Sequence, residues 1–69
     1  MKLRGIVAGN LRRLRMAKGL SQEEVAHLAG LDRNYVGNLE REQNSPTVDT
    51  LERIAAVLEA PAVELFREP

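Results

Sequence analysis

Gln22-Glu23-Glu24-Val25-Ala26-His27-Leu28-Ala29-Gly30-Leu31-Asp32-Arg33-Asn34-Tyr35-Val36-Gly37-Asn38-Leu39 is the stretch on which the reading of this 69-residue chain turns. Val25, Ala26, Ala29, Leu31, Val36 and Leu39 recur at helical spacing in two short runs. Gly30 stands between the runs, where the chain must turn sharply, and a left-handed residue there costs glycine nothing. Ser21 to Glu24 reads as a capping box that starts the first of these helices, with Ser21 as N-cap and Glu24 reaching back to its backbone N–H. That helix runs to about Ala29. The small Ala26 suits a close crossing with its successor. Asp32 is the expected N-cap of the next helix, which runs from about Arg33 to Glu40 or Arg41. Val36 and Leu39 face inward. Arg33, Asn34, Gly37 and Asn38 are left on a polar outer side, with Tyr35 flanking. Gly37 in a helix interior costs about 1 kcal/mol relative to Ala.

Toward the N-terminus, Val7, Leu11 and Leu14 make one apolar stripe, extended by Ala17, on a helix from about Leu3 to Lys18. Lys18 suits the negative end of the helix dipole and Gly19 the left-handed cap. Leu20 packs back onto the core. Toward the C-terminus, Gln43-Asn44-Ser45-Pro46 is a loop. Thr47 is the expected cap of a helix from about Val48 to Glu59, with Ser45 and Pro46 at N1 as the alternative. Leu51, Ile54, Ala55 and Leu58 form its stripe, and Ala60-Pro61 breaks it. A short fifth helix, about Pro61 to Phe66, brings Val63 and Phe66 toward the core. The expectation is all-α: one domain over residues 1–69, a compact five-helix bundle.

A domain this small buries only about 60% of its unfolded surface. Without Cys, neither disulfides nor thiolate metal sites can stabilise it. One Tyr, one Phe and no Trp leave an aliphatic core. There is no 18-residue apolar run and no signal-peptide stretch at the N-terminus, so the expected location is cytoplasmic, in association with the nucleoid. The formal net charge is zero, but it is divided. Residues 1–22 hold six bases and no acid; residues 23–69 hold ten acids and four bases. That asymmetry predicts one basic and one acidic face. An enzyme finds no support: one His, no Cys, no Gly-rich phosphate loop. His27 has no companion ligand, and neither a metal nor a cofactor is expected.

Two helices about a Gly-containing turn form a helix-turn-helix, whose second helix can enter the major groove of DNA. Arg33 can give two N–H bonds to guanine N7 and O6, and Asn can pair bidentately with adenine. Arg12 and Arg13 read as surface charges.

Leu11-Arg12-Arg13-Leu14-Arg15, Gly19 through Ala26, Gly30-Leu31, Leu39-Glu40-Arg41, and Pro46-Thr47 followed by Leu51, Ala55 and Leu58 together resemble the Cro/C1-type helix-turn-helix regulators, the xenobiotic-response-element family. Leu31 to Arg41 is also similar to the controller proteins of restriction–modification systems. The resemblance covers residues 6–66. It implies a lambda-repressor-like domain that binds double-stranded DNA as a two-fold homodimer, with the motif at about residues 22–41. It implies base reading by Arg33, Asn34 and Asn38, with Gly37 on the same face. Backbone contacts would come from Ser21, Gln22, Tyr35, Arg41, Gln43 and Asn44, with the positioning of a base-reading side chain as the alternative role for Gln22. Arg15 and Glu40 match a largely buried structural ion pair. The fourth and fifth helices are candidates for the dimer seam, through Val57, Val63, Leu65 and Phe66. Leu28 and Val57 are apolar at outward-leaning positions.

The chain departs from the family at Glu42, where Gly usually follows the Glu-Arg pair and ends the third helix in a left-handed conformation. Glu42 must either strain the backbone there or let the helix run on, and it adds a negative charge near the expected phosphates. The function expected is a transcriptional regulator acting on a near-palindromic operator. On that reading, regulation comes from concentration-dependent dimerisation and competition with polymerase; the competing reading is an antitoxin-like interaction module on the same fold, with a toxin as its partner.

Overall fold

The computed structural model describes residues 2–69. Among them are four α-helices and one 3-10 turn, with no strand: α1 Leu3–Ala17, α2 Gln22–Leu28, α3 Tyr35–Glu40, α4 Val48–Val57, and the 3-10 segment Ala62–Phe66. The expectation of five helices is corrected at the last element. Pro61 sets an extended entry (φ −60, ψ 139), and the five residues after it are too few for a stable α-helix, so they close i→i+3 bonds such as Glu64 N–H to Pro61 C=O at 2.9 Å. Three residues per turn put Ala62 and Leu65 on one side and Val63 and Phe66 on the other. Leu65 is therefore fully buried, while Val63 is 68% exposed and Phe66 is half-buried at the edge of the core. This corrects the expectation of Val63 inward and of Leu65 in a contact with another chain, since a side chain without exposed surface cannot make that contact.

All four helices end in the same way. The residue after each C-cap takes positive φ, its N–H bonds three residues back, and the next N–H bonds five residues back. For α1 these are Gly19 to Met16 and Leu20 to Arg15; for α2, Gly30 to His27 and Leu31 to Ala26. For α3 they are Glu42 to Leu39 and Gln43 to Asn38, and for α4, Glu59 to Ala56 and Ala60 to Ala55. These are Schellman motifs, and they satisfy carbonyls that would otherwise be orphaned. Gly19 and Gly30 (both φ 71) take the left-handed position freely, whereas Glu42 (φ 61) and Glu59 (φ 55) bear a strain of roughly 1–2 kcal/mol each. Of the two possibilities at Glu42, the chain takes the strained one. The fourth helix likewise stops before the expected Glu59, because Glu59 itself forms the cap.

Side-chain caps start two of the helices, α2 and α4. Ser21 Oγ accepts from Glu24 N–H at 3.0 Å, and Glu24 Oε1 accepts from Ser21 N–H at 2.7 Å. Those bonds hold the Glu24 carboxyl below its ordinary pKa. Thr47 Oγ1 accepts from Thr50 N–H at 3.0 Å, which makes Thr47 the cap of α4. The third helix begins two residues later than expected. Asp32 does hold the entry, through Oδ2 to Asn34 N–H at 3.0 Å, but Tyr35 N–H bonds to Asp32 C=O at 2.9 Å, so Arg33 and Asn34 lie in a tight turn ahead of the helix.

The core is aliphatic. Leu11, Val25, Val36, Leu39, Ile54 and Leu65 are fully buried, each worth roughly 1.5–3 kcal/mol. Ala17, expected on the α1 stripe, is exposed. The stripe instead includes Asn10, the one buried polar residue among those described, whose Nδ2 donates to the carbonyls of Leu65 (3.0 Å) and Arg67 (2.7 Å). That amide ties the C-terminal segment to α1. The angle of the motif is set at Gly30. Arg53 of α4 places Nη2 2.6 Å from Ala29 O and 3.1 Å from Gly30 O. A Cβ at Gly30 would stand 2.9 Å from that nitrogen, the end of a flexible side chain that can shift, so it is the left-handed φ of 71 that calls for glycine here. Ala26, fully buried, leaves the room in which α2 and α3 pack together.

Candidate nucleic-acid interface

Three side chains, Asn38 of α3, Arg41 at its C-cap and Gln43 just beyond, make up a polar surface held in place by hydrogen bonds. Arg41 Nη2 donates to Asn38 Oδ1 at 2.7 Å, and Arg41 Nε donates to Gln43 Oε1 at 3.2 Å. Asn38 thus has its oxygen engaged and its Nδ2 free to donate. Gly37 lies beneath: a Cβ there would be 3.0 Å from Gln22 Oε1 and 3.2 Å from Arg41 Nη1. The glycine is buried by these neighbours although it sits on the outer side of the helix. Arg33 and Asn34 are exposed in the preceding turn. Arg33 Nη2 meets Glu23 Oε2 at 2.6 Å, and that hydrogen bond raises the guanidinium pKa. Both partners are largely exposed (73% and 61%), so water screens the pair and an incoming acceptor can replace it.

Behind this surface lies a buried ion pair. Arg15 Nε reaches Glu40 Oε2 at 2.6 Å and Arg15 Nη2 reaches Glu40 Oε1 at 3.1 Å, while Arg15 Nη1 donates to Leu20 C=O at 2.8 Å. The side chains are 13% and 5% exposed. Gln22 Nε2 adds a bond to Glu40 Oε1 at 2.9 Å. Burial pushes the Glu40 carboxyl up, but the bonds from Arg15 and Gln22 and the charges of Arg15 and Arg12 outweigh it, leaving the carboxyl below its ordinary pKa. Arg15 is raised, chiefly by its bond to Glu40. One cluster therefore joins α1, α2 and α3.

The remaining candidate residues divide. Ser21 is engaged in its capping box, and Tyr35 is half-buried against the core. Asn44 turns its amide inward, Nδ2 donating to Tyr35 C=O at 3.4 Å, with its buried Oδ1 unpartnered. Val57 lies with Leu28, Ala29, Arg53 and Ala56 in a shallow groove between α2 and α4. Phe66 belongs to a different groove, shared with Leu3, Val7, Pro46, Val48 and Leu51. His27 is exposed on α2.

Sequence reasoning missed Lys2 and Arg4. Arg4 Nη2 donates to Ser45 Oγ at 2.6 Å, across 41 residues of chain, and so brings the start of α1 to the loop after α3. Lys2, Leu3 and Arg4 line one cleft with Arg41 and Glu42. The acid-free first 22 residues were the only signal for this.

A family model described as helix-turn-helix matches residues 11–65, most of the chain. The chain belongs to the Cro/C1-type helix-turn-helix family. Helix-turn-helix relatives extend the match over nearly the whole length. The chain is 45% identical over 65 residues to an uncharacterized HTH-type transcriptional regulator, y4dJ, of Sinorhizobium fredii, covering 94% of this chain and 84% of that one. It is 42% identical over 67 residues to a hypothetical transcription factor of Neisseria meningitidis, covering 97% of this chain but 63% of the relative, so the chain spans under two thirds of that protein. The crystal structure of the Neisseria factor superposes with a TM-score of 0.96, over 99% of this chain and 78% of that one, at 41% identity. The restriction–modification controller protein C.Esp1396I, solved as a tetramer with its natural 35 base-pair operator, superposes with a TM-score of 0.85 at 33% identity, over 96% of this chain and 87% of that one. The protein is thus a helix-turn-helix transcriptional regulator by family. Among the described residues no helix is long and apolar enough to cross a membrane.

Proposed function

We propose that this regulator binds a near-palindromic DNA operator as a homodimer, with α3 in the major groove. The observation that carries this is the outer surface of α3, where Asn38 and Arg41 are ordered by hydrogen bonds and Arg33 and Asn34 stand exposed ahead of the helix. A relative of the same fold solved on its operator supports the reading. Arg33, Asn34 and Asn38 read base edges beside Gly37, and Arg41 and Gln43 meet the phosphate backbone, with Ser21, Gln22 and Tyr35 along its path. Asn44 supports the loop rather than the DNA, because its amide is turned inward.

The dimer seam we assign to the groove that contains Phe66, flanked by the exposed Leu3 (57%) and Val48 (68%), with Val63 on the same side of the 3-10 turn as Phe66. Val57 belongs to a separate groove and lies outside the seam. A two-fold pair reading two half-sites requires them about one helical turn apart.

Selection from random DNA should return a palindromic consensus, and a salt titration should give a log–log slope of several units, about −0.9 per phosphate neutralised. Sedimentation should show dimers at micromolar concentration. A monomer without any selected sequence would overturn the proposal.

A further inference from the structure

The ten bases of the chain divide by what holds them. Arg15, Lys18, Arg33 and Arg67 are paired with carboxylates. Arg53 is spent on the carbonyls of Ala29 and Gly30. Arg12 and Arg13 follow each other along the body of α1. The other three converge: Lys2 and Arg4, at the start of α1, line one cleft with Arg41, at the end of α3. Glu42 is the one acid of that cleft, and it takes part in none of the four ion pairs among the described residues. Three exposed bases thus stand against one exposed acid. The positive end of α1 adds to the excess, since its first turn holds no acid and Lys2 gives no side-chain cap.

Two observations make this excess a site for an oxyanion on DNA. The first is a fixed guanidinium. Arg4 Nη2 donates to Ser45 Oγ at 2.6 Å, which holds one edge of the group against the loop after α3 and leaves its other N–H donors free. The Ser45 hydroxyl accepts in that bond and keeps its own proton to donate. A side chain already held loses less freedom when a ligand arrives. The second is position. Leu3 and Arg4 line this cleft and also the groove of Phe66, so the cleft borders the proposed dimer seam. Groups beside the seam of a two-fold pair lie nearest its axis, and that axis passes between the half-sites.

We infer that Lys2 and Arg4 form a phosphate site on α1, which grips the DNA backbone between the two half-sites. The inference rests on the proposed DNA-facing α3 and on the proposed seam. Neither residue falls within residues 6–66, the part that carries the family resemblance. The grip carries no base preference, because its donors meet only phosphate oxygens.

The test uses the full chain on the operator recovered by selection, with affinity read by fluorescence anisotropy across a salt series. The Lys2→Ala, Arg4→Ala double variant should select the same consensus and melt as wild type does, since both side chains are exposed. Its log–log salt slope should be flatter by about 0.9 per protomer, so that the dimer binds about 60-fold more weakly at about 0.1 M salt and hardly differs at about 1 M. Arg4→Lys, which keeps the charge, should keep the slope. Lys18→Ala, at the far end of the same helix, should leave it unchanged. A second measurement needs no change in the protein: neutral methylphosphonate linkages placed between the half-sites should weaken wild type and leave the double variant nearly unaffected. A double variant with the wild-type slope, a slope equally flattened in Lys18→Ala, or neutral linkages that act alike on both proteins would each overturn the inference while the reading of α3 stands. A wild type that selects no sequence would overturn that reading, and the inference with it.

Discussion

Glu40→Ala should lower the melting temperature by at least about 15 °C, followed by far-ultraviolet circular dichroism. The variant leaves the Arg15 guanidinium, 13% exposed, without its carboxylate and Gln22 without its acceptor. Breaking a buried pair from one side costs roughly 3–5 kcal/mol, because the remaining charge stays desolvated. A chain of this length has a total stability of only roughly 3–10 kcal/mol. Arg15→Ala should be comparably damaging. Replacing both by apolar residues of similar volume should cost much less than the sum of the two single changes, since no stranded charge remains. Acid offers an independent check. Glu40 has a depressed pKa in the folded chain, so its contribution is fully present above the unfolded value and is lost as the pH falls through the folded one. Wild type should therefore hold a steady melting temperature near neutrality and lose it below the ordinary carboxylate range. Glu40→Gln, already lacking the charge, should show a shallower acid dependence. An Arg15→Ala variant as stable as wild type would refute the assignment of this pair as the joint between α1 and α3.

Glu42→Gly should tighten DNA binding strongly and raise stability slightly. The stability gain is a difference of opposing effects. Relief of left-handed strain contributes roughly 1–2 kcal/mol. Against it stand the greater freedom of glycine in the unfolded chain, about 0.4–1 kcal/mol, and the loss of a carboxylate whose oxygen lies 3.4 Å from where a Gly5 Cβ would be, in the first turn of α1. That turn has no acidic residue of its own, and Lys2 provides no side-chain cap, so Glu42 favours the positive end of the helix by roughly 0.3–1 kcal/mol. The midpoints of these ranges leave a net gain of about 0.2 kcal/mol, a rise of about 1 °C. The effect on DNA is larger. Glu42 shares its cleft with Lys2, Arg4 and Arg41, the bases nearest the proposed phosphate path. Removing one negative charge there should be worth about 1 kcal/mol at low salt, roughly fivefold per half-site and about 25-fold for a dimer, shrinking as salt rises. Glu59→Gly makes the control. Its strain is the same, but its carboxylate faces Lys18 at the far ends of α1 and α4, which holds its pKa down. It should change stability without changing affinity. A Glu42→Gly variant that melts lower, or binds DNA no better, would count against the Schellman cap or the charge argument respectively.

Most of the helical framework was legible in the sequence because its signals act within one or two turns. Gly19 and Gly30 marked their turns, Ser21 with Glu24 and Thr47 marked their starts, and apolar spacing picked out Val7, Leu11, Val25, Val36, Leu39, Leu51 and Ile54 as core. Where a local rule failed, a non-local bond had intervened. Asn10 lies on the α1 stripe at i+3 from Val7, yet it is buried only because carbonyls 55 and 57 residues away accept its hydrogens. In the last segment Val63 and Leu65 exchange outside and inside, because Asn10 holds the Leu65 carbonyl against α1, while Phe66 keeps its contact with the core.

The sequence by itself determined that this chain is all-helical and carries a helix-turn-helix, since capping and periodicity join residues no more than five apart. Only the tertiary structure decided how the outer side of α3 is arranged. Gln22 meets Glu40 across 18 residues, Arg15 meets Glu40 across 25, and Arg53 closes on Ala29 across 24. No local pattern reveals which end of an amide faces a carboxylate, or that Glu42 will accept a left-handed backbone beside the first turn of α1. Those outcomes follow from burial and electrostatics that exist only once the helices have packed.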